Sequence, residues 1–149
     1  MNIKTEISSE YKEPELHVCN FENNSEVKGI VQELHEIYDI NIPAVDERGN
    51  RCKLKPGDII SVYAEGQKVM ILGTDGTYAA SKKLYELENE LGNRHFVRIS
   101  KSEIVSIRKI GKLDMSITGT IRIIMKNGYE TYVSRRNVSK IKDRLMSDR

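Results

Sequence analysis

The stretch Phe96-Val97-Arg98-Ile99-Ser100-Lys101-Ser102-Glu103-Ile104-Val105-Ser106-Ile107-Arg108-Lys109-Ile110 decides how this chain is read. With the preceding His95 its first residues, Phe96, Val97 and Ile99 about Arg98, predict a strand over His95–Ile99. The polar segment Ser100-Lys101-Ser102 interrupts it as a loop. Val105–Ile110 is apolar at alternate positions with Arg108 and Lys109 interleaved, a second extended run.

Downstream, Thr120–Lys126 alternates and places Ile121, Ile123 and Met125 on one face. Asn127-Gly128 predicts a type I′ hairpin turn, and Tyr129–Val133 is the return strand. A last helix is expected from Ser134, with Val138, Ile141 and Leu145 on its apolar face and Arg135, Arg136, Lys140, Lys142 and Arg144 opposite.

Upstream, a helix is expected from Ser81, with Leu84, Leu87 and Leu91 as its stripe and Gly92 as C-cap. Before it lie Ile42–Val45 and Arg51–Leu54, divided by Gly49-Asn50, then the turn Pro56-Gly57-Asp58. Ile59–Ala64 and Val69–Leu72 flank an exposed tip, Glu65-Gly66-Gln67-Lys68, and Asp75-Gly76 turns the chain into Thr77–Ala80. At the start, short strands are expected at Asn2–Ile7 and Glu15–Cys19, broken by Pro14. A helix capped by Asn24 or Ser25 follows, with Val27, Ile30, Val31, Leu34, Ile37 and Tyr38 at helical spacing. That stripe is core, or an interface if its partner surface lies on another subunit. The expected class is mainly antiparallel β with three helices (α+β). A ββα extension over 1–41 precedes a domain over 42–149.

Composition narrows the function. The chain has 149 residues, the size of one domain or one domain with an appendage. No window approaches the ~18 apolar residues of a membrane span. The first twenty residues are charged throughout and lack an apolar stretch, which predicts no secretory signal and a cytoplasmic protein. Two cysteines, Cys19 and Cys52, are too few for a disulfide framework. The net charge of +2 conceals an asymmetry. Residues 1–93 hold 10 Lys/Arg against 17 Asp/Glu, whereas residues 94–149 hold 14 against 5, so −7 faces +9. A basic third suits a polyanion-binding face, nucleic acid being the usual polyanion; internal pairing of the two parts is the alternative.

Catalytic chemistry finds no foothold. There is no GxxxxGK[ST], no strand–GxGxxG–helix and no HExxH, and a hairpin turn accounts for Gly73 and Gly76. His17-Val18-Cys19 puts two ligand types on one strand face, but a closed zinc site needs about four. His35 and His95 have no nucleophile beside them, and the carboxylates form no isolated apolar pair. No enzyme, metal, cofactor or small-molecule substrate is expected.

The opening stretch resembles the signature of the LytTR family of bacterial DNA-binding domains, F-x-R-x-[HS]-[RK]-S-x-[IL]-[VI]-N followed by an apolar residue and a closing Ile. Asn127-Gly128 and Val133-Ser134-Arg135-Arg136 resemble the family's later elements at the right distance. Asp58-Ile59-Ile60 resembles the start of its first strand, and Leu84-Tyr85-Glu86-Leu87-Glu88 its helix entry. The resemblance spans about Arg51–Leu145. Ser100 stands where response-regulator members have histidine, and Ser106 where asparagine is usual. The Ser-Lys-Ser form is similar to a stand-alone branch with a short N-terminal extension in place of a phospho-receiver domain. Such members are often encoded beside small membrane proteins, which leaves a membrane partner protein open.

The resemblance implies an elongated sandwich of small antiparallel sheets that reads successive major grooves of duplex DNA through loops. Carried over by position, the contacting elements are Gln67 and Lys68 at the tip, the loop Ser100-Lys101-Ser102, and Arg135, Arg136 and Asn137 at the helix start. The residue chemistry agrees. Lys101 can donate to guanine O6/N7 or phosphate, Arg136 offers a planar fork, and Gln67 can pair with adenine N6/N7. Arg98 either pairs with a carboxylate or meets phosphate, and one of Arg135 and Arg136 is expected to face the fold. Arg108, Lys109 and Lys112 read as a solvated steering face. The function expected is a sequence-specific, duplex-DNA-binding transcriptional regulator, homodimeric through the Ser25–Tyr38 helix. The alternative is a regulatory protein–protein interaction module that keeps the fold without specific DNA binding.

Overall fold

The protein is described here by a computed structural model covering residues 1–147. The side chains of residues 36–38, and with them the expected apolar positions Ile37 and Tyr38, lie outside the described residues, as do side chains from 146 onward. The chain divides into two compact units, Met1–Ile37 and Tyr38–Arg149.

In the first unit, helix α1 spans Ser25–Tyr38. Asn24 caps it, its Oδ1 accepting the Val27 N–H at 3.0 Å and so satisfying one of the orphan donors of the first turn. The expected strands at Asn2–Ile7 and Glu15–Cys19 do not form. Ile3, Ile7 and Leu16 stand exposed, so these segments lack the buried face that makes a pleated ribbon worth ordering.

Among its described residues the second unit holds ten strands in two antiparallel sheets. The larger contains β1 (Ile42–Val45), β2 (Arg51–Leu54), β3 (Ile59–Glu65), β4 (Lys68–Gly73), β5 (Thr77–Ala80), β6 (Phe96–Ser100) and β7 (Glu103–Ser106) in the order β2-β1-β5-β4-β3-β7-β6. The smaller contains β8 (Ile110–Asp114), β9 (Ile121–Met125) and β10 (Glu130–Val133) in the order β10-β9-β8. Helix α2 (Leu84–Leu91) precedes β6, and α3 (Val138–Ser147) follows β10. The expected class, mainly antiparallel β with three helices, is the one observed.

Period-two alternation sends the larger sheet's apolar side chains to both faces. On one face Ile42, Ile59, Val62, Ile71, Phe96 and Ile104 pack with Leu84, Leu87 and Leu91 of α2. On the other, Ile60, Val97, Ile99 and Val105 pack with Ile121, Ile123 and Met125 of the smaller sheet and Ile141 of α3. Strand β7 is covered on both faces and is buried at every position, as expected of a strand between two layers.

Four local readings are corrected. The run Val105–Ile110 is not one strand: β7 stops at Ser106, a 3₁₀ turn occupies Ile107–Lys109, and β8 carries the chain into the second sheet. Val105 and Ile107 alternate, but Lys109 breaks the phase before Ile110, and that break is where the chain changes sheet. The helix expected from Ser81 begins at Leu84, where Glu86 Oε2 reaches back to the Lys83 N–H at 3.2 Å. The last helix is preceded by a 3₁₀ turn over Arg135–Asn137 and starts at Val138. Finally, Asn127-Gly128 does not make a type I′ turn. Gly128 has φ +91° but no other residue type has positive φ, while the Gly128 N–H bonds to Met125 O and the Met125 N–H to Tyr129 O. This is a type I turn closed by a glycine bulge, the three-residue hairpin solution.

Candidate nucleic-acid interface

Three hairpin or helix-entry segments meet at one end of the second unit. The first is the β6–β7 turn, where Ser100 pairs with Glu103 across the two-residue loop Lys101-Ser102. Its polar backbone is almost wholly satisfied from within. Ser100 Oγ accepts the Ser102 N–H at 3.2 Å and lies 3.3 Å from Ser102 Oγ. Arg98 curls over the turn, donating from Nε to Ser100 O at 2.7 Å and from Nη2 to Lys101 O at 2.5 Å. Its Nη1 donates to Glu88 Oε2 of α2 at 2.9 Å. The Lys101 side chain is exposed, and among the described residues it has no carboxylate partner.

The second segment is the β3–β4 tip. Glu65 pairs with Lys68, leaving Gly66-Gln67 as the turn. Gly66 has φ +62° and Gln67 does not share a positive φ, which is the type II′ pattern that needs glycine first. Gln67 and Lys68 are exposed. At the foot of this hairpin the Ala64 N–H donates to Ser102 O at 2.8 Å, tying the tip to the first loop.

The third segment is the 3₁₀ entry to α3. The Ser134 N–H and Asn137 Nδ2 both donate to Ile99 O, at 2.9 and 3.2 Å, and Asn137 Nδ2 also reaches Ser134 Oγ at 2.7 Å. Asn137 is thereby a fastener between this turn and β6, with its amide turned inward. Arg135 and Arg136 are exposed. Of the two, Arg135 is the one turned toward the fold: its guanidinium lies along the β8–β9 connection, with Nε 3.5 Å from where a Cβ on Gly119 would stand.

The expected site residues are thus gathered, with different tasks. Gln67, Lys68, Lys101, Ser102, Arg135 and Arg136 present side chains to solvent. Arg98, Ser100 and Asn137 spend polar atoms on holding the segments together. Of the two readings of Arg98, pairing with a carboxylate is the one observed.

Sequence reasoning missed Glu103, at the foot of the loop. It is buried, 8% exposed, at the first position of β7. Oε1 accepts the Ser61 hydroxyl at 2.6 Å and the Tyr129 phenol at 2.9 Å, and Oε2 accepts the Thr131 hydroxyl at 2.5 Å. Three neutral donors from β3 and the second sheet replace the water this carboxylate leaves behind. Burial, reinforced by the charge of Glu103, pushes the Tyr129 phenol up to about 12. The available signal was a lone acid opening an apolar run. On the far hairpin, hydrogen bonds from the Ser116 hydroxyl and N–H, with Arg122 added, hold the Asp114 carboxyl down to about 2. Among the described residues no three His, Cys, Asp or Glu side chains converge as metal ligands, and no helix is long and apolar enough to cross a membrane.

An antiparallel sandwich that presents Lys68, Lys101, Arg135 and Arg136 at one end defines a β-scaffold surface suited to a polyanion, and among the described residues α2 and α3 are separated by five strands and form no helix-turn-helix. Residues 49–146 match the LytTr DNA-binding domain, and the chain belongs to that family. Among solved structures it is similar to the LytTr DNA-binding domain of a methyl-accepting/DNA response regulator from Bacillus cereus, with a TM-score of 0.67 at 20% identity, covering 71% of this chain and 97% of that one. Among curated proteins it is 40% identical over 88 residues to HTH-type transcriptional regulators of Staphylococcus aureus strains NCTC 8325 and COL. The match covers 59% of this chain and 59% of the length of those relatives.

Proposed function

We propose that this protein is a cytoplasmic transcriptional regulator that reads duplex DNA sequence-specifically through the end where the β3–β4 tip, the Lys101 loop and the α3 entry meet. The observation that carries the reading is their mutual fastening: Ala64 to Ser102 and Ser134 to Ile99 tie tip, loop and helix entry into one surface. Preorganised contacts lose little conformational entropy on binding, which separates a reading surface from loose basic tails. Membership of a DNA-binding family and relatives named as transcriptional regulators support it.

In this reading Lys101 and Arg136 donate to guanine edges in the major groove, Gln67 pairs with adenine, and Lys68, Ser102 and Arg135 meet the phosphate backbone. Two such domains on paired half-sites would come from a homodimer formed through α1. The residues 1–41 then serve as the dimerisation and regulatory segment and 42–149 as the DNA-binding domain.

The test is selection from a randomised duplex pool by the full chain, followed by binding to the duplex so enriched and to a scrambled duplex of equal length at two salt concentrations. The expected result is a preference for the enriched duplex at both. Equal binding with a steep salt slope would reduce the activity to non-specific polyanion affinity. No binding at either would favour a protein–protein interaction module.

A further inference from the structure

We infer that Arg98 is a specificity-determining positioning residue, acting on DNA through the shape it imposes on the Lys101 loop and anchored for that task by Glu88 of α2. The inference rests on the reading of this loop as a DNA contact.

The geometry is that of a clamp. Two adjacent peptide carbonyls, Ser100 O and Lys101 O, are held by one rigid guanidinium at 2.7 and 2.5 Å. Fixing two successive peptide planes fixes the direction in which the Lys101 Cα–Cβ bond leaves the turn. On the opposite strand the Ala64 N–H holds Ser102 O at 2.8 Å, so the loop is tied from both sides. Glu88 then takes the third edge of the guanidinium at 2.9 Å. Its own backbone is fixed near the end of α2, where the Gly92 N–H donates to Glu88 O, and the neighbouring Leu87 and Leu91 are buried. The clamp thus refers the loop to a helix rooted in the core.

Charge points the same way. The Arg98 side chain is 24% exposed and is neutralised by Glu88, itself 43% exposed. A guanidinium so paired offers little net attraction to phosphate. Turning outward to DNA would break three hydrogen bonds at once, those to Ser100 O, Lys101 O and Glu88 Oε2. Lysine cannot substitute, because a single ammonium lacks the planar fork that spans two carbonyls and a carboxylate.

The two roles predict opposite signs for Glu88→Gln. If Arg98 touched DNA directly, removing its competing carboxylate would strengthen binding to every duplex. If Arg98 positions the loop, Glu88→Gln weakens the anchor and lowers affinity for the preferred sequence alone.

The experiment measures Kd of full-length Glu88→Gln, Arg98→Lys and Lys101→Ala proteins on the enriched and scrambled duplexes, with thermal unfolding of each to confirm the fold. The expected result is a loss of about tenfold on the enriched duplex for Arg98→Lys. Glu88→Gln should lose a smaller multiple, with the scrambled duplex changed less than about twofold in both. A double variant Arg98→Lys/Lys101→Ala should be no worse than Lys101→Ala alone. Tighter binding of Glu88→Gln to the enriched duplex, or equal losses on both duplexes for Arg98→Lys, overturns the assignment while leaving the loop as a DNA contact. Wild-type behaviour of Lys101→Ala on both duplexes overturns the reading of the loop itself, and the assignment with it.

Discussion

The Tyr129 phenol donates to Glu103 Oε1 at 2.9 Å across the seam between the two sheets, directly beneath the Lys101 loop. Ser61 and Thr131 complete the carboxylate's shell from β3 and β10. A buried acid that is fully satisfied by hydroxyls fixes how the sheets register, because any slip would strand a charge without donors.

Removing the phenol tests that seam. Tyr129→Phe should lower unfolding free energy by about 1–2 kcal/mol, as expected for one hydrogen bond to a buried carboxylate. Urea unfolding monitored by circular dichroism measures it, with an unchanged m-value. An unchanged midpoint would mean the bond adds nothing to the seam.

The same pair makes an alkaline prediction. The Tyr129 phenol is raised in the fold from 10.0 to about 12. A group with a raised folded value contributes stability that is present below its unfolded value and lost as pH rises through the folded one. Stability should therefore fall between pH 10 and 12, and less steeply in Tyr129→Phe. Phenolate absorbance should show one tyrosine titrating near 12.

Asp114 works in the acid range with the opposite sense. Its carboxyl is lowered from 3.8 to about 2, chiefly by the Ser116 hydroxyl. Its contribution is present above pH 3.8 and lost as pH falls toward 2. Carboxyl carbon NMR should place the Asp114 titration near 2, and Ser116→Ala should move it back toward the ordinary aspartate range.

The dimer reading is tested at α1. Leu34→Glu should convert the protein to a monomer by light scattering and weaken binding to a duplex with two half-sites far more than to a single half-site. An unchanged mass would remove α1 from the interface.

Much of this was legible in the sequence. Strands β1, β2 and β5 fall where the turn residues placed them, because Gly49-Asn50, Pro56-Gly57-Asp58 and Asp75-Gly76 give each a clear break. The Lys101 loop and the exposed tip at Gln67 were legible for the same reason. Three things were not. The segment before Asn24 has apolar residues at strand spacing but no partner to bury them, and pairing is not a local property. The crossover at Ile107 was hidden because Ile107 and Ile110 both turn inward, prolonging an apolar run through a change of sheet. The clamp of Arg98 and the shell of Glu103 join residues distant in sequence, Arg98 to Glu88 and Glu103 to Ser61, Tyr129 and Thr131. Only the folded topology brings those groups together.

Separating base reading from charge requires a control outside the meeting of the three segments. Lys112 is exposed on β8. Lys112→Ala should weaken enriched and scrambled duplexes nearly alike.

Whether loop and helix-entry side chains read base identity is decided by selection from a randomised duplex pool. Wild type, Lys101→Ala and Arg136→Ala would be run in parallel. The account predicts an enriched motif for wild type, and relaxed preference at a different motif position for each variant, with a loss of about 1–3 kcal/mol on the wild-type sequence. An enriched motif retained unchanged by both variants, or no motif in any protein, would contradict it.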